Sequence, residues 1–111
     1  MIHNMRLNNE PFNLIKDGTK TIELRLNDEK RQLLRIGDFI EFQNRTTQEI
    51  IKAEIIDLHK YNSFYKLYKH FDKVSMGYKK EEVAKPEDME LYYSKEEQEK
   101  YGVVGIEIKL I

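Results

Sequence analysis

The pattern of hydrophobic and polar residues predicts strands along the whole chain. Alternation of apolar and polar residues is typical of a strand with one buried face. The predicted strands cover residues 2–7, 20–26, 39–42, 50–58 and 104–110. In the fourth, the apolar parity changes between Ile55 and Ile56, which predicts a bulge or a strand covered on both faces. The last one, from Val104 to Leu110, is predicted to bury one face.

Capping residues mark the predicted helices. The first opens at Asn9-Glu10-Pro11, because proline fits the first turn, and it ends at Gly18. Ser63 can cap a second helix, whose spacing of aromatic and apolar residues makes one stripe that we expect in the core. Ser94 and Glu97 form a capping box for a helix that ends near Tyr101-Gly102. The stripe consists of Phe64, Leu67, Tyr68 and Phe71.

The remaining segments are shorter or less regular. Residues 27–34 are expected to form one or two helical turns capped by Asn27 or Asp28. Pro86 can start another short helix, and the charged stretch from Met76 to Pro86 is predicted to be a mobile loop or flap. Strands therefore outnumber long helices. This pattern favours an α+β fold, with a small, mostly antiparallel sheet or barrel and several short helices at its ends.

Composition narrows the class of protein. A chain of 111 residues is expected to form one domain, residues 1–111. The net charge of −1 argues against coating of duplex DNA, so any nucleic-acid site must be local. The absence of cysteine predicts a cytoplasmic protein without a disulfide-linked partner. We expect no membrane association, because no apolar segment approaches the length of a membrane span.

The candidate chemistry lies in the segment Gly18-Thr19-Lys20-Thr21-Ile22-Glu23-Leu24-Arg25. In an extended chain Thr21, Glu23 and Arg25 share one face, and the long side chain of Lys20 can reach toward it. Two cations beside a carboxylate suit a polar ligand that carries phosphate, carboxylate or amide groups. The alternative interpretation is a solvated edge strand whose charges block aggregation.

The tyrosines and histidines give weaker indications of function than this segment does. Tyrosines could supply stacking surfaces for a base, although most are expected to bury the ring and leave the hydroxyl in water. The three histidines, His3, His59 and His70, lie on different predicted elements and do not predict a metal site. No motif predicts a cofactor. The candidate stacking tyrosines are Tyr61, Tyr65, Tyr92, Tyr93 and Tyr101.

Three stretches of the sequence resemble the ASCH domain family. They are Glu10-Pro11-Phe12 with residues 15–25, then Gly37-Asp38-Phe39-Ile40-Glu41-Phe42, and finally residues 100–106. The resemblance covers nearly the whole chain. It implies a β-barrel of the PUA type with a cleft beside the lysine-bearing segment, and a role in RNA or nucleotide recognition. Lys20, Thr21, Glu23, Arg25 and Tyr101 are then the candidate ligand-binding residues.

One branch of this family implies a second hypothesis. Its members are small amidohydrolases that deacetylate N4-acetylcytidine with a lysine, a threonine and a glutamate. Lys20 matches the lysine, whereas Glu23 stands where that branch has the threonine. A carboxylate does not replace a hydroxyl nucleophile. If the hydrolase interpretation holds, Lys20 would be the base and Glu23 would hold it or a water in place. A third interpretation is a protein-interaction domain without pocket chemistry.

Overall fold

All five predicted strands form, and they pair in one mixed sheet. The computed structural model describes residues 1–111. The strands lie in the order β1-β3-β4-β5-β2; β1 and β3 are parallel and the other pairs are antiparallel. This is the α+β, PUA-like architecture predicted from the sequence. The strands are β1 (Ile2–Leu7), β2 (Ile22–Leu26), β3 (Phe39–Asn44), β4 (Ile50–Tyr61) and β5 (Val103–Leu110).

The sheet curls into a half-barrel, which brings its two edge strands together. The Arg25 guanidinium on β2 donates a hydrogen bond from Nη2 to the carbonyl oxygen of Arg6 on β1, over 3.2 Å. No strand fills the gap between them. The edges are therefore joined by a side chain instead of a backbone ladder, which leaves an opening along the gap.

Short helices close the ends of the sheet. They are α1 (Asn9–Lys16), α2 (Phe64–Leu67) and α3 (Lys95–Tyr101), with 3₁₀ turns at Arg31–Leu33 and Pro86–Leu91. The predicted caps form: Ser63 accepts from the Lys66 backbone, and Ser94 and Glu97 make the full capping box. The predicted turns after β2 reduce to the first of these 3₁₀ turns, where Asp28 accepts from the Arg31 backbone.

Several predicted boundaries differ from the structure. β3 extends to Asn44, β4 extends to Tyr61 and β5 begins at Val103. β2 begins at Ile22 instead of Lys20. The N–H of Lys20 donates to Leu14 and that of Thr21 to Ser75, while the carbonyl of Thr21 makes a single hydrogen bond to β5 by accepting from Ile108. The helix predicted after Ser63 is a single turn that ends at Leu67. Phe71 lies beyond it but still packs against the core.

Two clusters of apolar side chains cover opposite faces of the sheet. We call the first the inner core; it lies inside the curl and includes Phe12, Phe42, Ile55, Val104 and Ile106. The second, the outer core, covers the other face of β2 and β5 and includes Ile22, Leu24, Phe64, Leu67 and Val103.

β4 contains a bulge, and the first half of β5 is buried on both faces. The parity change in β4 is a bulge between Ile55 and Asp57, as the sequence predicted. The prediction that β5 buries one face holds from Ile106 to Leu110 but is wrong from Val103 to Gly105, where both faces are buried. Val104 and Ile106 enter the inner core, whereas Val103 enters the outer core and Gly105 lies against Leu67. β5 is covered twice because α2 packs on the face that alternation assigned to solvent.

Candidate functional site

The position of β2 at the sheet edge determines where its polar side chains point. Glu23 lies opposite Ile106 and Arg25 opposite Val104 in the ladder with β5. Both partners belong to the inner core, so Glu23 and Arg25 share the inner face. No strand continues the sheet beyond β2. These two charged side chains therefore border the gap between the edges instead of an apolar interior.

Lys20, Glu23 and Arg25 converge on one buried ion-pair cluster, which we call the triad. Lys20 Nζ lies 2.8 Å from Glu23 Oε1, and Arg25 Nε lies 2.7 Å from Glu23 Oε2. The exposed fractions of the three side chains are 10%, 4% and 13% in chain order. The triad is therefore not a set of solvated edge-strand charges, which excludes the alternative interpretation for this segment.

The electrostatics of the triad keep the carboxylate ionised. Burial raises the pKa of Glu23, but Lys20 and Arg25 attract its charge and lower the pKa below the usual value. Burial likewise lowers the pKa of Arg25, and Glu23, with a contribution from Tyr93, raises it overall. One carboxylate between two cations leaves a net positive charge. Each carboxylate oxygen also has a second lone pair, so Glu23 can accept a further hydrogen bond.

The triad lies in a cavity of about 440 Å³. Its walls come from the end of β1, from α1 and from the segment between residues 76 and 93. The polar lining contains both charge signs, and four tyrosines add aromatic surface. The charged lining residues are Arg6, Glu10, Lys20, Glu23, Arg25, Arg45, Glu82 and Asp88, and the tyrosines are Tyr68, Tyr78, Tyr92 and Tyr93.

Hydrogen bonds hold the cavity wall that contains Tyr78. Tyr78 donates from its hydroxyl to Asp88 Oδ2 over 2.8 Å, and the Tyr68 hydroxyl lies 2.8 Å from that of Tyr78. Burial, together with these two bonds, raises the pKa of the Tyr78 phenol well above its usual value. Tyr78 therefore stays a neutral donor. Tyr78 thereby links Tyr68, at the end of α2, to Asp88 in the Pro86–Leu91 turn. The part of the predicted flap that faces the cavity is therefore anchored.

The structure brings together three of the five predicted ligand-binding residues. Lys20, Glu23 and Arg25 form the triad, whereas Thr21 is exposed and Tyr101 packs against the outer core. Neither Thr21 nor Tyr101 lines the cavity. Of the candidate stacking tyrosines, Tyr92 and Tyr93 line it and Tyr61 and Tyr65 do not.

Sequence reasoning missed several cavity residues. Arg6 had a usable signal, since it is the single charge in the first strand. Tyr78 follows Gly77 in the irregular segment, a context typical of a functional loop. The sequence around Arg45 and Asp88 gives no signal of a functional site. Only the curling of the sheet and the packing of the Pro86–Leu91 turn bring these two residues to the cavity.

The histidines lie apart, each with its own partner. His3 pairs with Asp38 at 2.8 Å, and His70 stacks on Tyr61 with ring centroids 5.0 Å apart. His59 lies 2.8 Å from Glu107 and 3.7 Å from Asp57. Asp57, His59 and Glu107 are close enough together to hold a metal ion, but they lie at the β4 bulge and do not line the cavity.

A half-barrel with a polar cavity at its edge strand defines a PUA-like domain. The family model described as "ASCH domain" matches residues 5–111, and the chain belongs to the ASCH domain family. The resemblance found in the sequence is thereby confirmed. Comparison with curated proteins gave no match. None of the helices has the length and apolar character needed to cross a membrane.

Solved structures share the fold, and two of them also share the length of this chain. The hypothetical protein PH0355 is 33% identical, with complete coverage of both chains and a TM-score of 0.84. Protein PF0455 from Pyrococcus furiosus is 33% identical, with coverage of 100% of this chain and 98% of that chain and a TM-score of 0.71. The ASCH domain from Lactobacillus crispatus is 16% identical, covers 98% of this chain and 79% of that chain, and has a TM-score of 0.65, a likeness of fold alone.

Proposed function

We propose that this ASCH domain binds RNA or a nucleotide in the cavity beside β2. The observation that carries the proposal is the burial of the triad at that cavity, where two cations and a carboxylate meet a hollow of about 440 Å³. This is a typical volume for a small-ligand site. The family is broadly one of RNA-binding, PUA-like proteins, which supports the same conclusion.

Each triad residue has a role in this proposal. Lys20 and Arg25 contact phosphate or carbonyl oxygens of the ligand, since their donors are partly free beyond the bonds to Glu23. Glu23 accepts a hydrogen bond from the amino edge of a base. Tyr92 and Tyr93 offer rings at the cavity for stacking on that base.

Binding of short single-stranded RNAs at two salt concentrations tests the proposal. We expect saturable binding that weakens as salt rises, because phosphate contacts release counterions. Lys20→Ala should weaken it strongly. The matched control is Lys16→Ala, an exposed lysine on α1 that lies outside the cavity and should leave binding unchanged. Absence of saturable, salt-sensitive binding, or binding that Lys20→Ala does not affect, would contradict the proposal.

A second candidate function is a small amidohydrolase that acts on N4-acetylcytidine or a related acylated nucleoside. The contact of 2.8 Å between Lys20 and Glu23 at the cavity favours it. Thr21 is exposed and outside the cavity, so it brings no threonine hydroxyl to these two residues. In this candidate, water adds to the acetyl carbonyl and the amide bond breaks to give acetate and cytidine. Lys20 would act as the base, with Glu23 orienting it or the water.

Incubation with N4-acetylcytidine followed by chromatography tests the hydrolase. The candidate requires cytidine to appear with the wild-type protein and to be absent with Lys20→Ala. Unchanged substrate at high protein concentration would reject this chemistry. Binding without turnover would leave the first proposal standing alone.

A further inference from the structure

A second hollow lies on the outer face of β1 and β3, the part of that face that the outer core does not cover. Its volume is about 440 Å³, like that of the cavity, and we call it the outer groove. Arg6 and Glu41 line it from those strands, and both alternate with inner-core residues along the chain. Lys30 and Arg31 close it from the segment after β2.

The outer groove is strongly basic although the chain carries a net charge of −1. Five of its ten lining residues are arginine or lysine, and only Glu41 is acidic. Two of these cations are neutralised locally, Arg25 by Glu23 and Arg31 by Asp28 at 3.4 Å. The other three are Arg6, Lys30 and Arg45, and they form no ion pair.

The guanidinium of Arg31, at the edge of the groove, is only partly hydrogen-bonded. Its Nε is buried and has no hydrogen-bond acceptor, although its Nη1 bonds to Asp28. A buried guanidinium donor without an acceptor is unfavourable. The buried Nε is closed off from solvent, so the observation that points to an anion in the groove is the set of three cations that are free of ion pairs.

The outer groove and the cavity share three lining residues: Arg6, Arg25 and Arg45. Arg25 reaches from β2 to the backbone of Arg6 across the gap, so its guanidinium lies at the junction of the two hollows. Arg6 and Arg45 border both sides of that junction. A ligand that fills the cavity can thus continue into the groove along a line of arginines.

We propose that the outer groove is a phosphodiester-binding subsite, and that the ligand of the cavity is a single-stranded RNA of at least two nucleotides. This inference rests on the proposed nucleotide binding in the cavity. One base lies beside the triad, and the phosphates of the neighbouring nucleotides contact Arg6, Arg45 and Lys30. The small, local basic surface suits a single strand, whereas a duplex needs a wide cationic face.

Fluorescence polarisation with a labelled mixed-sequence RNA octamer, together with calorimetry of cytidine and cytidine 5′-monophosphate, tests the subsite. We expect the octamer to bind more tightly than either small ligand. Lys30→Gln should reduce the slope of log K against log salt by about 0.7, the value for one phosphate contact of a single strand. A variant that also carries Arg6→Gln and Arg45→Gln should reduce it by about 2, for three contacts.

Two comparisons separate the subsite from the cavity and from general charge. Lys30 lines only the groove, so Lys30→Gln should leave the binding of cytidine, which has no phosphate, unchanged. Arg35→Gln removes an exposed arginine outside both hollows and should change nothing. Thermal unfolding confirms that each variant is folded.

The outcomes that overturn the inference differ from those that overturn the proposed function. If the octamer and the mononucleotide bind with equal affinity and salt slope, while Lys20→Ala abolishes both, the groove is not a subsite but the cavity still binds nucleotides. An equal loss in Arg35→Gln and Lys30→Gln also rejects the groove. Failure of all three ligands to bind rejects both proposals.

Discussion

Gly77 lies directly against the side chain of Lys20. A Cβ atom at position 77 would come within 3.1 Å of Lys20 Cδ and 3.7 Å of its Nζ. The backbone at Gly77 also has a positive φ of 105°, a conformation that other residues adopt at a cost. The loop wall of the cavity therefore packs against the triad lysine at a place where only glycine fits without a shift.

This contact predicts that Gly77→Ala displaces the Lys20 ammonium from Glu23 and weakens ligand binding. The positive φ should also lower the free energy of unfolding by about 1 kcal/mol. Gly18→Ala is the matched control, because Gly18 has a φ of 85° and nothing within 4 Å of the added methyl group. In urea unfolding Gly77→Ala should lose at least as much stability as Gly18→Ala, because it also disturbs the triad, and only Gly77→Ala should lose RNA affinity. Equal affinity in the two variants would contradict the packing argument.

The parts of the fold that the sequence predicted depend on local physical rules. The capping box at Ser94 and Glu97 satisfies backbone donors within one turn, so three residues suffice to recognise it. The parity change at Ile55 and Ile56 is equally local, because an extra residue in a strand shifts every later side chain to the other face.

The predictions that failed concern residues whose surroundings come from distant parts of the chain. β5 alternates like a half-exposed strand, yet α2 covers the face that carries Val103 and Gly105. The triad could be predicted because its residues are close in the sequence, with Glu23 and Arg25 on β2 and Lys20 just before that strand. Asp88 and Arg45 could not be predicted, since they reach the cavity from two separate turns that are distant in the sequence from the triad.

The burial of the triad predicts that Glu23→Gln is strongly destabilising. The substitution removes the one carboxylate that compensates Lys20 and Arg25, and loss of one partner from a buried ion pair costs about 3 kcal/mol. Urea unfolding monitored by circular dichroism measures this loss. Glu49→Gln is the matched control, because its ion pair with Lys16 is exposed and is expected to contribute less than about 1 kcal/mol. Equal losses in the two variants would show that the triad is not tightly coupled.

The lowered pKa of Glu23 predicts how this stabilisation depends on pH. A carboxyl group whose folded pKa lies below its unfolded value stabilises the protein fully above the unfolded value, here near 4.5. The contribution is lost as the pH falls through the folded pKa. Unfolding free energies of wild type and Glu23→Gln should therefore differ near neutral pH and converge in acid, where Glu23 becomes neutral. A difference that stays constant from neutral pH to about pH 3 would contradict the assignment.

The bond between Tyr78 and Asp88 predicts the mobility of the cavity wall. Tyr78→Phe keeps the ring but removes the donor to Asp88 and leaves the Tyr68 hydroxyl without that partner. We expect a loss of about 1 kcal/mol in the free energy of unfolding. Amide hydrogen exchange should accelerate in the Pro86–Leu91 turn, because its link to α2 is gone.

Tyr65→Phe is the control for this variant, since Tyr65 is exposed and outside the cavity. It should change neither stability nor exchange. If Tyr78→Phe exchanges like the control, the packing of Met89 in the outer core holds the wall instead of the phenol. Faster exchange together with weaker RNA binding would mean that the wall must be fixed for the base to be held against the triad, because a mobile wall adds an ordering cost to binding.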